Sequence, residues 1–280
     1  MNIQNAIKDA SQKLRKNNIF SYQLDSEILM SNVIKKKRDY VILNSNKDLS
    51  ISQLVQFRKL IKERSKGKPI GYLIGKKDFW KYEFKVEEGV LIPRPDTELI
   101  IEKVLEFYKK QSKLKVLELG VGSGCILLSI LKEKKHFHGI GVDISKKCID
   151  ISKINSKKLG LQNRVKFFKT DVDNFSYGKY DLIISNPPYI KKLDLKYLEK
   201  DVVNFEPKLA LDGGLEGISA IRKVINKSSE LIKINGKLVL EIAFNQKKEV
   251  TKLLIDKGFY INKVFKDLSK KDRCIISTKL

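Results

Sequence analysis

Two short stretches carry residue types suited to chemistry. In VLELGVGSGCILL, residues 116–128, Gly120, Gly122 and Gly124 alternate with Val121 and Ser123 after a strand-like run and before a helical one. Glycines there let a ligand approach the backbone and leave amide N–H groups of a helix N-terminus to meet it. The dinucleotide fingerprint G-x-G-x-x-G fails, because Cys125 stands where its third glycine belongs, and the Gly-Lys-Ser/Thr ending of a P-loop is missing. The pattern E-x-G-x-G-x-G from Glu118 fits S-adenosylmethionine (SAM) better.

Three carboxylates support that fit. The next strand-like run, GIGVDI, ends at Asp143, where a carboxylate can accept both ribose hydroxyls. The third, RVKFFKTD, ends at Asp171, followed by Val172, where an adenine amino group needs an acceptor. Glu118 is placed to reach the methionine ammonium, directly or through water. Taken singly, a glycine turn is often only a turn and a strand-end aspartate only a helix cap. Together, in order on three successive strands, they point to SAM.

The second stretch is DLIISNPPYI, residues 181–190, an apolar strand that stops at Asn186-Pro187-Pro188-Tyr189. This suits methylation of a planar nitrogen, whose delocalised lone pair makes it a poor nucleophile. The Asn186 side-chain carbonyl and the Pro187 backbone carbonyl can accept hydrogen bonds from a substrate NH2, holding it in line and favouring the charge that builds on it. Prolines keep those acceptors aimed, and Tyr189 offers a flat wall. A plain Asn-Pro turn closing a strand is the bland alternative. The four residues alone leave two planar targets open, an adenine amino group and a glutamine amide.

The elements that must position these residues follow from periodicity. Apolar residues recur at helical spacing from residue 1 to about 66 (Ile3, Ile7, Ala10, Leu14; Leu24, Ile28, Leu29; Leu54, Phe57, Ile61), with a break at Asn17-Asn18, a cap at Ser50 and a stop at Gly67. Phe79, Tyr82, Phe84 and Val86 alternate as in a β-run, which Glu87-Glu88-Gly89 is expected to turn back into VLI as a hairpin. Thr97 is the expected cap of the helix ELIIEKVLEFYKK. Thereafter strands and helices alternate to the end of the chain, as in a mostly parallel sheet covered on both faces. The expected organisation is a helical bundle for partner binding over 1–70, a β-hairpin linker over 71–95 and a catalytic α/β domain over 96–280.

Composition narrows the setting. The chain of 280 residues has no apolar run approaching the ~20 residues of a membrane span, and its N-terminus does not read as an export signal. Three widely spaced cysteines and two histidines in KKHFHGI argue for a reducing, cytoplasmic compartment and against a metal site. The net charge of +24 would suit a phosphate backbone. It suits equally a lysine-rich composition of A·T-rich codons, so direct nucleic-acid binding is permitted but not required. A monomer is expected.

NPPY after a SAM-type glycine loop resembles both the N6-adenine DNA methyltransferases and the protein glutamine N5-methyltransferases. LIPRPDTELI (91–100), SNPPYI (185–190) and FEPKLALDGGLEGI (205–218), with PIGYLIGKKDFW upstream, together resemble the release factor glutamine methyltransferase family, PrmC/HemK, over nearly the whole chain. Ribosomal-protein glutamine methyltransferases usually read R-S-P-I-A-E where this chain has Arg94-Pro95-Asp96-Thr97-Glu98. The resemblance implies a Rossmann-like class I SAM-dependent methyltransferase domain with a mostly parallel seven-stranded sheet, a small N-terminal helical bundle and a β-hairpin linker. It implies methyl transfer from SAM to the glutamine of the Gly-Gly-Gln loop of class 1 peptide chain release factors. Carried over residue by residue, Gly120 to Gly124 and Asp143 hold SAM, and Asn186 touches cofactor and substrate. Pro187, Pro188 and Tyr189 finish the glutamine pocket, beside Arg94 and Pro95. Where many members set an aromatic or large apolar residue against the adenine, this chain has Val172, leaving a thinner wall or one supplied by Phe175. A nucleic-acid adenine methyltransferase lacks an evident target-recognition domain here and leaves IPRPDTE without a role. An RNA-binding protein with a degenerate cleft makes the cofactor residues a coincidence.

Overall fold

The structure is a computed structural model in which residues 1–111 and 113–280 are described. They divide into two compact units, Met1–Lys76 with Glu199–Phe205, and Lys77–Leu198 with Glu206–Leu280.

The first unit begins with helices α1 (Ile3–Lys16), α2 (Tyr22–Ile34), α3 (Arg38–Leu43), α4 (Ile51–Ser65) and α5 (Ile70–Ile74). The spacing Ile3, Ala6, Ile7, Ala10, Leu14 puts one face of α1 into a core with Leu29, Met30, Val41, Phe57 and Ile61. Ser50 caps α4 in a reciprocal capping box with Gln53. Beneath α4, Arg64 pairs with Asp25 at 2.7 Å, both side chains under a tenth exposed. The same guanidinium donates to the Gly67 and Lys68 carbonyls. Losing one partner of such a buried pair costs about 3–5 kcal/mol.

From the last residue of the first unit into the second, β1 (Lys76–Phe79) and β2 (Tyr82–Lys85) form the hairpin. Its turn is not at Glu87-Glu88-Gly89 but at Trp80-Lys81, with Trp80 at φ +58°. The Glu133 carboxylate accepts from Trp80 Nε1 at 3.0 Å and from the Tyr82 hydroxyl at 3.1 Å, and pairs with Lys81. Three donors converging on one carboxylate set a turn that no Gly or Asn announces. Residues 87–90 turn instead into a segment outside both sheets.

There follow α6 (Glu98–Phe107), β3 (Lys115–Leu119), α7 (Cys125–Glu133), β4 (His138–Asp143), α8 (Lys146–Lys158), β5 (Val165–Lys169) and β6 (Tyr180–Ser185). After α9 (Lys200–Phe205), which clusters with the first unit, come α10 (Ser219–Leu231), β7 (Ile232–Glu241), α11 (Lys247–Asp256), β8 (Phe259–Lys266) and β9 (Asp272–Lys279). Seven strands lie in the order β5-β4-β3-β6-β7-β9-β8. The first five are parallel, and β9 runs antiparallel to both its neighbours. This is the expected mostly parallel seven-stranded sheet, in a Rossmann-like doubly wound arrangement. One core packs α6, α7 and α8 on one face; the other packs α10 and α11 on the opposite face. Burying each Leu or Ile fully is worth about 1.5–3 kcal/mol. The strand order reverses between β3 and β6, which puts a crevice outside their carboxyl ends.

Candidate active site

The carboxyl end of β3 runs directly into the glycine loop. Gly120, Gly122 and Gly124 all have positive φ, +77°, +54° and +81°, a region that L side chains rarely adopt. A Cβ on Gly120 or Gly122 would meet nothing within 4 Å, so the loop borders open space there. On its other side the loop is tied down. Asp143 at the end of β4 accepts the Gly122 N–H at 2.9 Å on one oxygen and the Ser145 N–H at 2.8 Å on the other. From α8, Ser152 donates to the Gly122 carbonyl, and the Asn155 amide, buried, donates to the Ser123 carbonyl. Burial holds the Asp143 carboxyl above its ordinary range, against the pull of those two backbone N–H groups.

Glu118 is 1% exposed, and its Oε2 accepts the Leu127 N–H in the first turn of α7 at 3.0 Å. Burial, with Asp143 nearby, pushes its carboxyl well up. Val121 and Ser123 are buried within the loop. At the end of β5, Asp171 Oδ1 accepts the Asp173 N–H at 2.9 Å and caps a short 3-10 turn over Val172–Asn174. Val172 is half-buried at the edge of the core, whereas Phe175 lies inside it against Phe168, ring centroids 5.7 Å apart.

At the end of β6, next to β3, Asn186 Nδ2 donates to Thr97 Oγ1 at 3.2 Å. Thr97 was expected to cap α6, but its side chain caps nothing. Its hydroxyl, 3% exposed, faces Asn186 instead. Tyr189 donates its hydroxyl to Glu241 Oε1 at 3.3 Å. Glu241 ends β7 and is 1% exposed. Burial drives its carboxyl up to about 7, with the Thr97 and Tyr189 hydroxyls and Arg273 pulling the other way. Burial raises the Tyr189 phenol as well, and the Glu241 charge adds to that.

The three motifs quoted above converge on this site. Ile190 pairs in parallel with Asp212, the Gly213 N–H donating to the Ile190 carbonyl at 2.8 Å. Gln246 donates to the Tyr189 carbonyl at 3.1 Å and to the Gly217 carbonyl at 2.9 Å. Gly217 sits at φ +79°, where a Cβ would come within 2.7 Å of the Tyr189 carbonyl oxygen. Glycine is required there by close approach. Glu206, 5% exposed, binds Arg94 Nη2 at 2.5 Å and accepts the Ile92 N–H at 3.4 Å. Arg94 is thus engaged by a buried carboxylate; Pro95 is exposed; Pro187 is buried and Pro188 half-buried.

Sequence reasoning placed Asn186 and Tyr189 but missed Thr97, Glu206, Glu241, Gln246 and Asn155. One signal was available: a lone glutamate inside the otherwise apolar strand LVLEIA, since buried carboxylates are rare unless partnered. Among the described residues no group of His, Cys, Asp and Glu could hold a metal ion, and no helix is long and apolar enough to cross a membrane.

Comparison with known proteins bears on the family and the fold. Residues 5–75 match the family model for the PrmC N-terminal domain, and residues 96–252 match that for the methyltransferase small domain. The release factor glutamine methyltransferase of Clostridium acetobutylicum is 37% identical, covering 100% of this chain and 99% of that protein. That of Buchnera aphidicola subsp. Baizongia pistaciae is 38% identical, covering both chains completely. A bifunctional methyltransferase of Rickettsia conorii is 34% identical over 98% of this chain, which spans only 57% of that protein. Among solved structures, a methyltransferase from Pyrococcus furiosus aligns with a TM-score of 0.54 at 17% identity, over 70% of this chain and 88% of that one. That likeness is one of fold.

Proposed function

This chain belongs to the release factor glutamine methyltransferase family, and we propose that it methylates class 1 peptide chain release factors. The methyl group comes from S-adenosylmethionine and goes to the side-chain amide nitrogen of the glutamine in their Gly-Gly-Gln loop. The observation that carries this reading is the commitment of the Asn186 NH2 group to Thr97. The Asn186 carbonyl is left as the free end of the amide, at the carboxyl edge of the strand beside the glycine loop.

The chain fits the cofactor, because the glycine loop borders open space that a Cβ on Gly120 or Gly122 would occupy. We assign Gly120, Val121, Gly122, Ser123 and Gly124, with Glu118, Asp143, Asp171, Val172 and Asn186, to holding it. When bound, SAM supplies a methyl group on a sulfonium, an electrophile for nitrogen. The work of the protein is then to present that nitrogen. Asn186 Oδ1 and the Pro187 carbonyl accept from the substrate NH2, orienting the lone pair and favouring positive charge on nitrogen as its bond forms. Pro187 and Pro188 limit backbone motion at those acceptors. Tyr189, held at its hydroxyl by Glu241 and at its carbonyl by Gln246, walls the planar amide. Arg94 and Pro95 border the same pocket in this reading. The first unit grips the release factor, and the enzyme acts as a cytoplasmic monomer.

The experiment is to supply methyl-labelled SAM with a class 1 release factor and, separately, with DNA and RNA. Label on the Gly-Gly-Gln glutamine is expected. Label on adenine alone would overturn the substrate and favour the adenine methyltransferases that share NPPY. Removing residues 1–66 should raise the KM for the release factor, and an unchanged KM refutes the gripping role.

A further inference from the structure

Asn186 can aim its carbonyl at a substrate NH2 only while its own amide stays in place. The NH2 end of that amide is anchored on the Thr97 hydroxyl, 3.2 Å away, so the position of Thr97 matters in turn. Thr97 closes a short 3-10 turn, Pro95–Thr97, in which its N–H donates to the Arg94 carbonyl at 3.1 Å. Residues 91–94, which lead into the turn, belong to neither a helix nor a strand. Pro93 and Pro95 have no N–H to donate. A stretch outside the sheet and helices, with two of its donors missing, keeps one geometry only if side chains from elsewhere hold it.

Glu206 holds it at two points. This carboxylate, 5% exposed, accepts the Ile92 N–H on Oε2 at 3.4 Å and the Arg94 guanidinium on Oε1 at 2.5 Å. Its two oxygens thus grip the chain on either side of Pro93. We propose that Glu206 is a positioning residue for methyl transfer: through the Ile92–Arg94 segment and the Pro95–Thr97 turn, it sets the place at which Asn186 is anchored. The path is a series of hydrogen bonds. It runs from the carboxylate to Ile92 and Arg94, from the Arg94 carbonyl to the Thr97 N–H, and from the Thr97 hydroxyl to the Asn186 amide. A carboxylate suits the task because both its oxygens accept, and its charge strengthens the bond to the guanidinium. A glutamine there keeps one acceptor and turns an NH2 group against the other donor. Released from that grip, the turn shifts, and a displacement of about 1 Å at a positioned group costs up to about 100-fold in rate. The path also joins the three quoted motifs, Glu206 standing in FEPKLALDGGLEGI, Arg94 and Thr97 in LIPRPDTELI, and Asn186 in SNPPYI.

This inference rests on the proposed reaction in taking Asn186 as the group that holds the substrate NH2. Its test uses the full chain, methyl-labelled SAM and a class 1 release factor, with kcat and KM measured for each variant and SAM affinity by calorimetry. Glu206→Gln should lower kcat about 10- to 100-fold, with the SAM Kd within about threefold of wild type. Thr97→Val removes the anchor and should lower kcat similarly. Adding Glu206→Gln to Thr97→Val should then lower kcat by less than about threefold more, because the path is already cut. A residue that only stabilised the fold would cost the same factor in both backgrounds. Wild-type kcat in either single variant, an equal loss in the two backgrounds, or a loss carried by the SAM Kd instead of kcat each overturns the inference. Should Glu206→Gln fail to fold, Arg94→Gln, which breaks the same ion pair from its more exposed end, is compared in the two Thr97 backgrounds by the same criteria. If wild type labels adenine rather than glutamine, the substrate reading fails. The same variant ratios, measured on adenine, still decide the positioning role.

Discussion

Glu241→Gln should change how stability depends on pH. Burial holds the folded carboxyl near 7, against an ordinary value of 4.5. Between those two values the folded chain keeps a proton that the unfolded chain gives up, so wild-type stability falls as pH rises through that window. Below it both states are protonated; above it the folded chain carries a buried charge whose neutral form burial favours. A rise from 4.5 to about 7, at 1.36 kcal/mol per pH unit, corresponds to about 3 kcal/mol. Glutamine keeps the shape and has no proton to lose, so this contribution disappears in the variant. Glu118 and Asp143 are raised in the same direction, but both proteins retain them and they cancel in the difference. The chain has a single tryptophan, Trp80, in the hairpin of the second unit, so its fluorescence during urea unfolding reports that unit. Measured at about pH 4.5, 6 and 8, the stability of Glu241→Gln relative to wild type should increase by about 3 kcal/mol across the series. A difference constant to within about 0.5 kcal/mol would falsify the reasoning, because the carboxyl would then not be desolvated as its burial implies.

Asn186→Ala should fold and bind SAM within about tenfold of wild type while losing about 10²- to 10³-fold in kcat, as when one transition-state contact is removed; retention of kcat refutes its role. Asp143→Ala takes the acceptors from the Gly122 and Ser145 N–H groups, and calorimetry should show SAM affinity weakened by about 10- to 100-fold. An unaltered Kd would show that this carboxylate neither shapes the loop nor holds the cofactor. Gly217→Ala forces a Cβ to within 2.7 Å of the Tyr189 carbonyl oxygen at positive φ. A loss of about 1–3 kcal/mol in stability should follow, with impaired transfer. Unchanged unfolding and kinetics would mean that this segment does not clamp Tyr189.

What could be read from the chain alone was whatever is written in consecutive residues. The glycine loop, Asp143 and Asn186-Pro187-Pro188-Tyr189 each combine a local backbone requirement with a place at a strand end, and both leave a linear trace in periodicity and spacing. The alternation of strands and helices disclosed the sheet in the same way. The hairpin turn at Trp80-Lys81 left none, because Glu133, far along the chain, sets it through three hydrogen bonds. Thr97 read as a helix cap because its immediate neighbours fit one; its partner Asn186 comes from another strand. Glu241 showed as an odd letter in an apolar strand. Its raised pKa and its hold on Tyr189 come from removing water on every side and from groups supplied by β6, β9 and the segment before α6. Backbone preference is local and survives in the sequence, whereas desolvation and hydrogen-bond partnership belong to residues brought together only when the sheet is assembled.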